Sequence, residues 1–222
     1  MMTKKIKQNL KEVEKFFSQI SLEPCEKEQA VQAIALLKEL LRSVPEEVSP
    51  PSFAEHYPLP AEVQEKHYAL FADGACRGNP GPGSWGAMGQ NDKGELLFES
   101  SGVDMLTTNN KMELQATISA YEELFMHLEK SPMEWQSITV HLYSDSKYVI
   151  EGLKEWMDGW KKRGWKKSDN KTPENLELWQ RLDEIIQKIS HKKFHWVKGH
   201  SGHPQNERCD ELANLALDSA GL

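Results

Sequence analysis

The order of apolar segments after residue 67 is the feature that most restricts the fold of this 222-residue chain. Three short segments that alternate or run apolar come first, at 67–73, 84–90 and 95–101, and the turn-forming runs GNPGPG and NDKGE separate them. Helical and strand patterns then alternate: a helix at 109–127, a strand at 138–144, short helices at 146–151 and 154–160, a helix at 174–190, a strand at 193–198 and a helix at 204–219. This order predicts an α/β fold in which a five-stranded mixed sheet is flanked by helices.

The chain before this pattern predicts two further parts. Residues 1–44 carry apolar side chains at helical spacing in two stretches, which indicates an N-terminal helical hairpin. Residues 45–66 contain five prolines and are predicted to be a semi-rigid linker to a domain at 67–222, with part of the aromatic run SFAEHYPLP lying against that domain. The hairpin is compatible with self-association, a protein partner or added nucleic-acid affinity. Its lysines are balanced by glutamates, which favours protein contact.

Composition and charge narrow the class of protein. No apolar run reaches the roughly 20 residues that span a bilayer, and the start has no secretory signal pattern, so we expect no membrane and a cytoplasmic location. Cys25, Cys76 and Cys209 are odd in number and far apart, which argues against a disulfide framework and against a structural zinc site. The net charge of −7 argues mildly against a nucleic-acid partner, but the basic run at 161–167 creates a local field that outweighs it.

Four acidic residues fall where strands end or helices begin, and they are candidate metal ligands. Asp73 ends the first strand pattern, Glu113 lies in the first turn of the helix after TTNN, Asp145 follows the strand at 138–144, and Asp210 lies near the start of the last helix. Carboxylate oxygens are the ligands that Mg²⁺ prefers, and Mg²⁺ keeps waters and substrate phosphates as its other ligands. The set therefore predicts a magnesium site at the sheet, of the kind that assists phosphodiester hydrolysis.

Each acid also has an ordinary structural interpretation. Asp73 could cap the glycine-rich turn that follows it, and Asp145 could be the N-cap of the next helix. Glu113 could interact with the helix dipole, and Asp210 could be a solvated residue beside Glu207 and Glu211. The spacing of Glu113 and Asp210 places small or apolar residues on the same helix faces, which favours inward-facing side chains.

The run EWMDGWKKRGWKK indicates a nucleic-acid contact. It interleaves three tryptophans with lysines and an arginine, so that cations can meet phosphates while indole rings face sugars or bases. The residues concerned are Trp156, Trp160, Lys161, Lys162, Arg163, Trp165, Lys166 and Lys167. Some of these tryptophans can instead anchor the run to the core.

Five motifs together resemble type 1 ribonuclease H in order and spacing: DGACRGNPGPGSWG, TTNNKMEL, SDSKYV, WKKRGWK and VKGHSGHPQNERCDELA. The resemblance covers about residues 67–220 and implies the ribonuclease H-like fold. It implies that the four acids hold two Mg²⁺ ions, for which Mn²⁺ can substitute. It also implies that His200, between two glycines, is the family's flexible catalytic histidine.

The resemblance further implies which residues bind substrate. The basic run becomes the handle that grips the DNA strand, and amide side chains contact the hybrid backbone and its 2′-hydroxyls. Thr108 and Asn175 correspond to a pocket for a DNA phosphate, whereas Lys147 stands where bacterial relatives commonly have glutamine. The remaining positions implied are Asn79, Asn109 and Asn110.

The resemblance thus implies an endonuclease that hydrolyses the RNA strand of RNA–DNA hybrids by two-metal-ion catalysis and leaves 3′-hydroxyl and 5′-phosphate ends. A non-catalytic hybrid-binding module on the same fold is the alternative, and it would be favoured if one of the four acids were replaced. A DNA-cutting nuclease or resolvase of related fold is the other alternative. The asparagines placed for 2′-hydroxyls and the WKKRGWK run argue against it.

Overall fold

A computed structural model describes residues 57–128 and 134–222, together with Ile34. The predicted hairpin at 1–44, apart from Ile34, and the first part of the predicted linker lie outside these residues. The described part forms one five-stranded sheet with the order β3-β2-β1-β4-β5. The strands are β1 (His67–Cys76), β2 (Gly81–Gln90), β3 (Leu96–Thr107), β4 (Thr139–Ser144) and β5 (His191–Trp196).

The sheet is mixed, as predicted. β1, β2 and β3 form an antiparallel meander, because the short turns GNPGPG and NDKGE return the chain at once. β4 pairs in parallel with β1, and β5 pairs in parallel with β4, since helical connections carry the chain back across the sheet.

Helices cover both faces of this sheet. The long helix α1 (Asn109–Leu128) packs on β1, β2 and β3 from one side, and the last helix α5 (Pro204–Ser219) packs on the same strands from the other. The remaining elements are a 3₁₀ turn (Glu134–Gln136), α2 (Lys147–Glu151), a π-helical turn (Gly152–Trp156), α3 (Met157–Lys162) and α4 (Leu176–Ile186). No helix in the described part of the chain is both long and apolar enough to cross a membrane.

One element boundary and the placement of one residue differ from the sequence prediction in ways that bear on the site. β1 does not end at Asp73 but continues to Cys76, because β2 keeps pairing with it as far as Gly83. The parallel pairing with β4 stops at Phe71, so Asp73 still lies just beyond the point where the parallel neighbour leaves. Helix α1 begins at Asn109, which puts Glu113 one residue beyond the first turn.

The described end of the predicted linker lies on the sheet, as expected for part of that run. We call residues 57–66 the docked segment. The buried amide of Gln90 donates to the carbonyl of Tyr57 (2.9 Å), and the buried amide of Gln205 donates to that of Pro58 (2.7 Å). Leu59 completes the contact by packing on a buried apolar cluster. That cluster comprises Ala69, Phe71, Met88, Tyr143 and Cys209, and Val63 also packs on it.

Three histidines form a hydrogen-bonded row across the strands. His141 on β4 is fully buried, and its two ring nitrogens lie 3.0 Å from Nδ1 of His67 and 3.1 Å from Nε2 of His195. Glu62 of the docked segment lies 3.8 Å from the outer nitrogen of His195. Burial, then the charges of the two neighbouring histidines, lowers the pKa of His141 to about 4.

This row predicts an acid-sensitive fold. Because the pKa of His141 is lower in the folded chain than the value near 6.5 of a free histidine, the unfolded chain binds more protons between these two values. The contribution of His141 to the free energy of unfolding is therefore fully present above about pH 6.5 and is lost as the pH falls toward about 4. Glutamine keeps a donor and an acceptor but cannot titrate. We therefore expect His141→Gln to reduce the slope of the unfolding free energy against pH by the equivalent of up to roughly one bound proton. Urea unfolding at several pH values measures this slope in both chains, and an unchanged slope in His141→Gln would contradict the lowered pKa of His141.

Candidate metal centre and active site

The centre forms where β1 and α1 approach each other most closely. A side chain at Gly74 would collide with the backbone of Met112 and Glu113, so only glycine permits this approach. The contact brings Glu113 from α1 beside Asp73 from β1. Both side chains are buried, at 5% and 8% exposure.

Asp145 completes a cluster of three carboxylates. One ligand atom each from Asp73, Glu113 and Asp145 lies within 4.8 Å of the others. Asp145 follows β4 directly, and it does not cap the next helix, because the hydroxyl of Ser146 accepts the cap hydrogen bond from the N–H of Val149 (3.4 Å). The carboxylate of Asp145 is therefore available for the cluster.

The electrostatics of the cluster favour a positive partner. Burial, followed by the charges of Asp145 and Asp210, raises the pKa of Asp73 to about 8. Burial, followed by the same kind of repulsion from Asp73 and Asp145, raises the pKa of Glu113 well above its ordinary value. Oε2 of Glu113 is also buried without a hydrogen-bond partner, although Oε1 accepts from the Asn109 amide (3.3 Å). A hard divalent cation fits this arrangement, since it neutralises the acids and supplies the missing contact.

Asp210 stands farther out than the other three acids. It lies on α5, and its Oδ1 accepts a hydrogen bond from the Asn214 amide one turn later (3.0 Å). The three-residue group above does not include it, but its charge still acts on Asp73. The structure therefore brings three of the predicted ligands within 4.8 Å of one another and leaves the fourth outside that group.

His200 lies on an exposed turn between β5 and α5. Its φ is 48°, and the neighbouring Gly199 passes so close to Asp145 that an added side chain would collide with Oδ2 of that residue. The end of the turn is held by Glu207, whose carboxylate accepts from the N–H of Gly202 (3.0 Å). These contacts bring the histidine loop against one of the three acids.

A polar cleft of about 390 Å³ lies beside the centre. Its lining includes the predicted phosphate residues Thr108 and Asn175, and Asn79 accepts a weak hydrogen bond from the backbone of Asn109 at its edge (3.4 Å). The other lining residues are Asn110, Lys111 and Glu174. Lys111 is missing from the sequence prediction, yet its position in the first turn of α1, three residues after Thr108, could have suggested it.

A larger groove of about 530 Å³ runs beneath the predicted handle. Trp156, Trp160, Arg163 and Tyr148 are among its lining residues, and Glu174 lines both this groove and the polar cleft. The hydroxyl of Tyr148 accepts from the amide of Asn175 (3.2 Å) and from the indole of Trp179 (3.0 Å). The groove is further lined by Glu155, Gly159, Lys167, Ser168, Pro173 and Glu174.

The handle residues divide between anchors and exposed groups. Trp160 is buried, and Trp156 and Trp165 pack against the core while remaining partly exposed. Lys161 pairs with the buried carboxylate of Asp183 (2.7 Å). The exposed cations include Lys162 and Arg163, and Arg163 donates to the carbonyl of Lys166 (3.1 Å), whose own ammonium donates to Thr172 (2.8 Å).

We expect two adjacent lysines of the handle to differ in role. Lys161→Met should lower the free energy of unfolding by about 2 kcal/mol, because it leaves the buried Asp183 without its cation. Lys162→Met should leave stability unchanged and weaken binding to nucleic acid, because Lys162 is exposed. Urea unfolding and a binding titration on both variants measure the difference, and equal losses of stability would contradict it.

Comparisons with known proteins decide the family. The RNase H family model matches residues 65–218. A ribonuclease H of Agrobacterium fabrum is 52% identical over 153 residues, which cover 69% of this chain and 96% of that protein. A ribonuclease H of Rhizobium etli is also 52% identical, over 154 residues that cover 69% of this chain and 93% of the relative.

The chain belongs to the ribonuclease H family. It is therefore an enzyme of an endoribonuclease family, and the predicted membership and fold are confirmed. Among solved structures, it is similar to LC11-RNase H1 in complex with an RNA/DNA hybrid, with 28% identity, a TM-score of 0.56 and coverage of 70% of this chain and 99% of the other. The family match begins at residue 65, so most of the docked segment lies outside it.

Proposed function

We propose that this chain is an endonuclease that hydrolyses the RNA strand of RNA–DNA hybrids with the help of divalent metal ions. The observation that carries the proposal is the convergence of Asp73, Glu113 and Asp145, three carboxylates from three different elements, in a family of ribonucleases. A hybrid-binding module without catalysis has no use for this crowding of negative charge, which works against binding a polyanion.

The metal ions we propose are two Mg²⁺. Asp73, Glu113 and Asp145 would hold them together with the more distant Asp210, and the partnerless oxygen of Glu113 supports this fit. Two such ions stabilise the attacking and departing oxygens of a phosphodiester in line. The products would then be 3′-hydroxyl and 5′-phosphate ends.

The residues around the centre supply orientation and proton transfer. The polar cleft offers amides, a hydroxyl and an ammonium for one phosphate, and the groove under the handle offers indole rings and cations for a second strand. His200 is proposed to exchange protons or help release the product, because an imidazole ring can both accept and donate a proton and its turn lies against Asp145. The hybrid bound to LC11-RNase H1 supports the choice of substrate.

We also propose a cytoplasmic location. The two cysteines in the described residues, Cys76 and Cys209, are free thiols, which supports a reducing compartment.

The test is a cleavage assay with matched substrates. The RNA strand of an RNA–DNA hybrid is labelled, and the same sequence is offered as an RNA duplex and as a DNA duplex, with Mg²⁺ or with EDTA. We expect cutting of the hybrid alone, only with Mg²⁺, and 5′ ends that lose phosphate on phosphatase treatment. Equal cutting of the DNA duplex would favour the DNA nuclease, and hybrid binding without cutting would favour the binding module.

A further inference from the structure

Trp196 is an exposed aromatic residue beside the metal centre that the proposed chemistry does not use. It is the last residue of β5, and 45% of its surface is exposed, although a tryptophan at a strand end gains most by packing inward. It pairs with Ser144, the residue before Asp145, and it directly precedes the loop that carries His200.

The indole N–H of Trp196 holds the backbone of a metal ligand. Nε1 donates to the carbonyl oxygen of Asp145 at 2.9 Å. The next residue, Val197, donates its N–H to the carbonyl of Ser144 (3.1 Å), so Trp196 and Val197 together hold the peptide groups on both sides of Asp145. On the other side, Gly199 confines the Asp145 carboxylate. The side chain of Trp196 thus helps set where the carboxylate of Asp145 points.

The indole ring of Trp196 holds a cation. The ammonium of Lys147 lies 5.2 Å from the centre of that ring, within the range of a cation–π interaction. Lys147 is exposed and is the first residue of α2, where the helix dipole disfavours a positive charge. The ring offsets that cost and keeps the ammonium over Trp196, whose N–H contacts Asp145.

We infer that Trp196 is a positioning residue with two contacts: its N–H orients Asp145 for metal binding, and its ring holds Lys147 ready to bind a phosphate of the cleaved strand near the cut site. The inference rests on the proposed function, because the cleaved strand is the one that reaches the metal ligands. Neither contact requires Trp196 to touch the reacting atoms.

The lysine contact is tested by a double-mutant cycle on binding. The affinity of the full chain for an RNA–DNA hybrid is measured in EDTA, where no cutting occurs, at several salt concentrations. We expect Lys147→Met to raise Kd about fivefold and to reduce the salt slope by about one unit, as for one lost phosphate contact. Trp196→Leu should raise Kd in the native chain and have little effect in the Lys147→Met background.

The backbone contact is tested by Trp196→Phe, which keeps an aromatic face and removes the N–H. We expect Kd to stay near the native value, kcat to fall several-fold, and the Mg²⁺ concentration for half-maximal rate to rise. A tryptophan that merely stabilised the fold would leave this Mg²⁺ requirement unchanged. Thermal unfolding of each variant checks that the fold is retained.

A second cation–π pair supplies the matched control. Lys188 lies 5.4 Å from the ring centre of Phe125, and neither residue belongs to the centre, the cleft or the groove. Lys188→Met should leave Kd, salt slope and kcat unchanged.

Additive losses in the cycle would overturn the link between Trp196 and Lys147, and a native Mg²⁺ requirement in Trp196→Phe would overturn the link to Asp145. Absence of cutting by the native chain would overturn the proposed function instead, and the binding cycle would still decide the lysine contact.

Discussion

Asp145→Asn is expected to slow cleavage of an RNA–DNA hybrid by about a thousandfold while leaving hybrid binding intact. The change removes one negative charge from the three-carboxylate cluster and keeps the size of the side chain. The Asp145 carbonyl that Trp196 holds is unaffected, so the backbone should stay in place. Initial rates in Mg²⁺ and binding in EDTA measure the two halves of the prediction.

Asp104→Asn is the matched control for this variant. Asp104 lies exposed on β3, and its Oδ1 accepts from the N–H of Leu106 (3.0 Å), a hydrogen bond that the amide oxygen of asparagine can replace. Its rate should equal that of the native chain. A rate for Asp145→Asn within tenfold of the native value would mean that Asp145 is not a metal ligand. Loss of binding would mean that the residue contributes to substrate contact.

The three clustered acids were predictable because each belongs to a local pattern that the fold preserves. A carboxylate that continues the apolar face of a strand, follows a strand directly, or lies early in a helix with small residues on its face is placed at the sheet in any arrangement of this kind. Ser146, and not Asp145, is the N-cap of α2, so the interpretation of Asp145 as a helix cap is wrong. The outlying position of Asp210 was not predictable, because it depends on how α5 packs over β1 and β2.

Other features needed the three-dimensional structure because they join residues far apart in sequence. Lys161 and Lys162 look alike in the basic run, and only the approach of α4 gives one of them a buried carboxylate. The histidine row joins β1, β4 and β5, which no spacing in the sequence reveals. The same holds for Trp196, whose role follows from its contacts with Asp145 and Lys147.

The second large effect is expected from removing the docked segment. We compare the full chain with two shortened chains, 57–222 and 67–222. The predicted domain starts at 67, but the segment before it covers an apolar cluster and accepts hydrogen bonds from the buried amides of Gln90 and Gln205. We expect the free energy of unfolding of chain 67–222 to be about 2–4 kcal/mol lower than that of chain 57–222, because apolar burial is lost and the two buried amides each lose an acceptor.

Removal of the docked segment should also affect the active site. Gln205 is the second residue of α5 and follows the His200 turn, so freeing its side chain loosens the helix end that holds this turn. Chain 67–222 should therefore lose activity at temperatures where chain 57–222 keeps it. Leu59→Ala in the full chain provides a milder version without a change of length, and it should lower the unfolding free energy by about 1–2 kcal/mol. Equal stability of chains 57–222 and 67–222 in urea would mean that the docked segment is only a linker and that the catalytic fold is complete from residue 67.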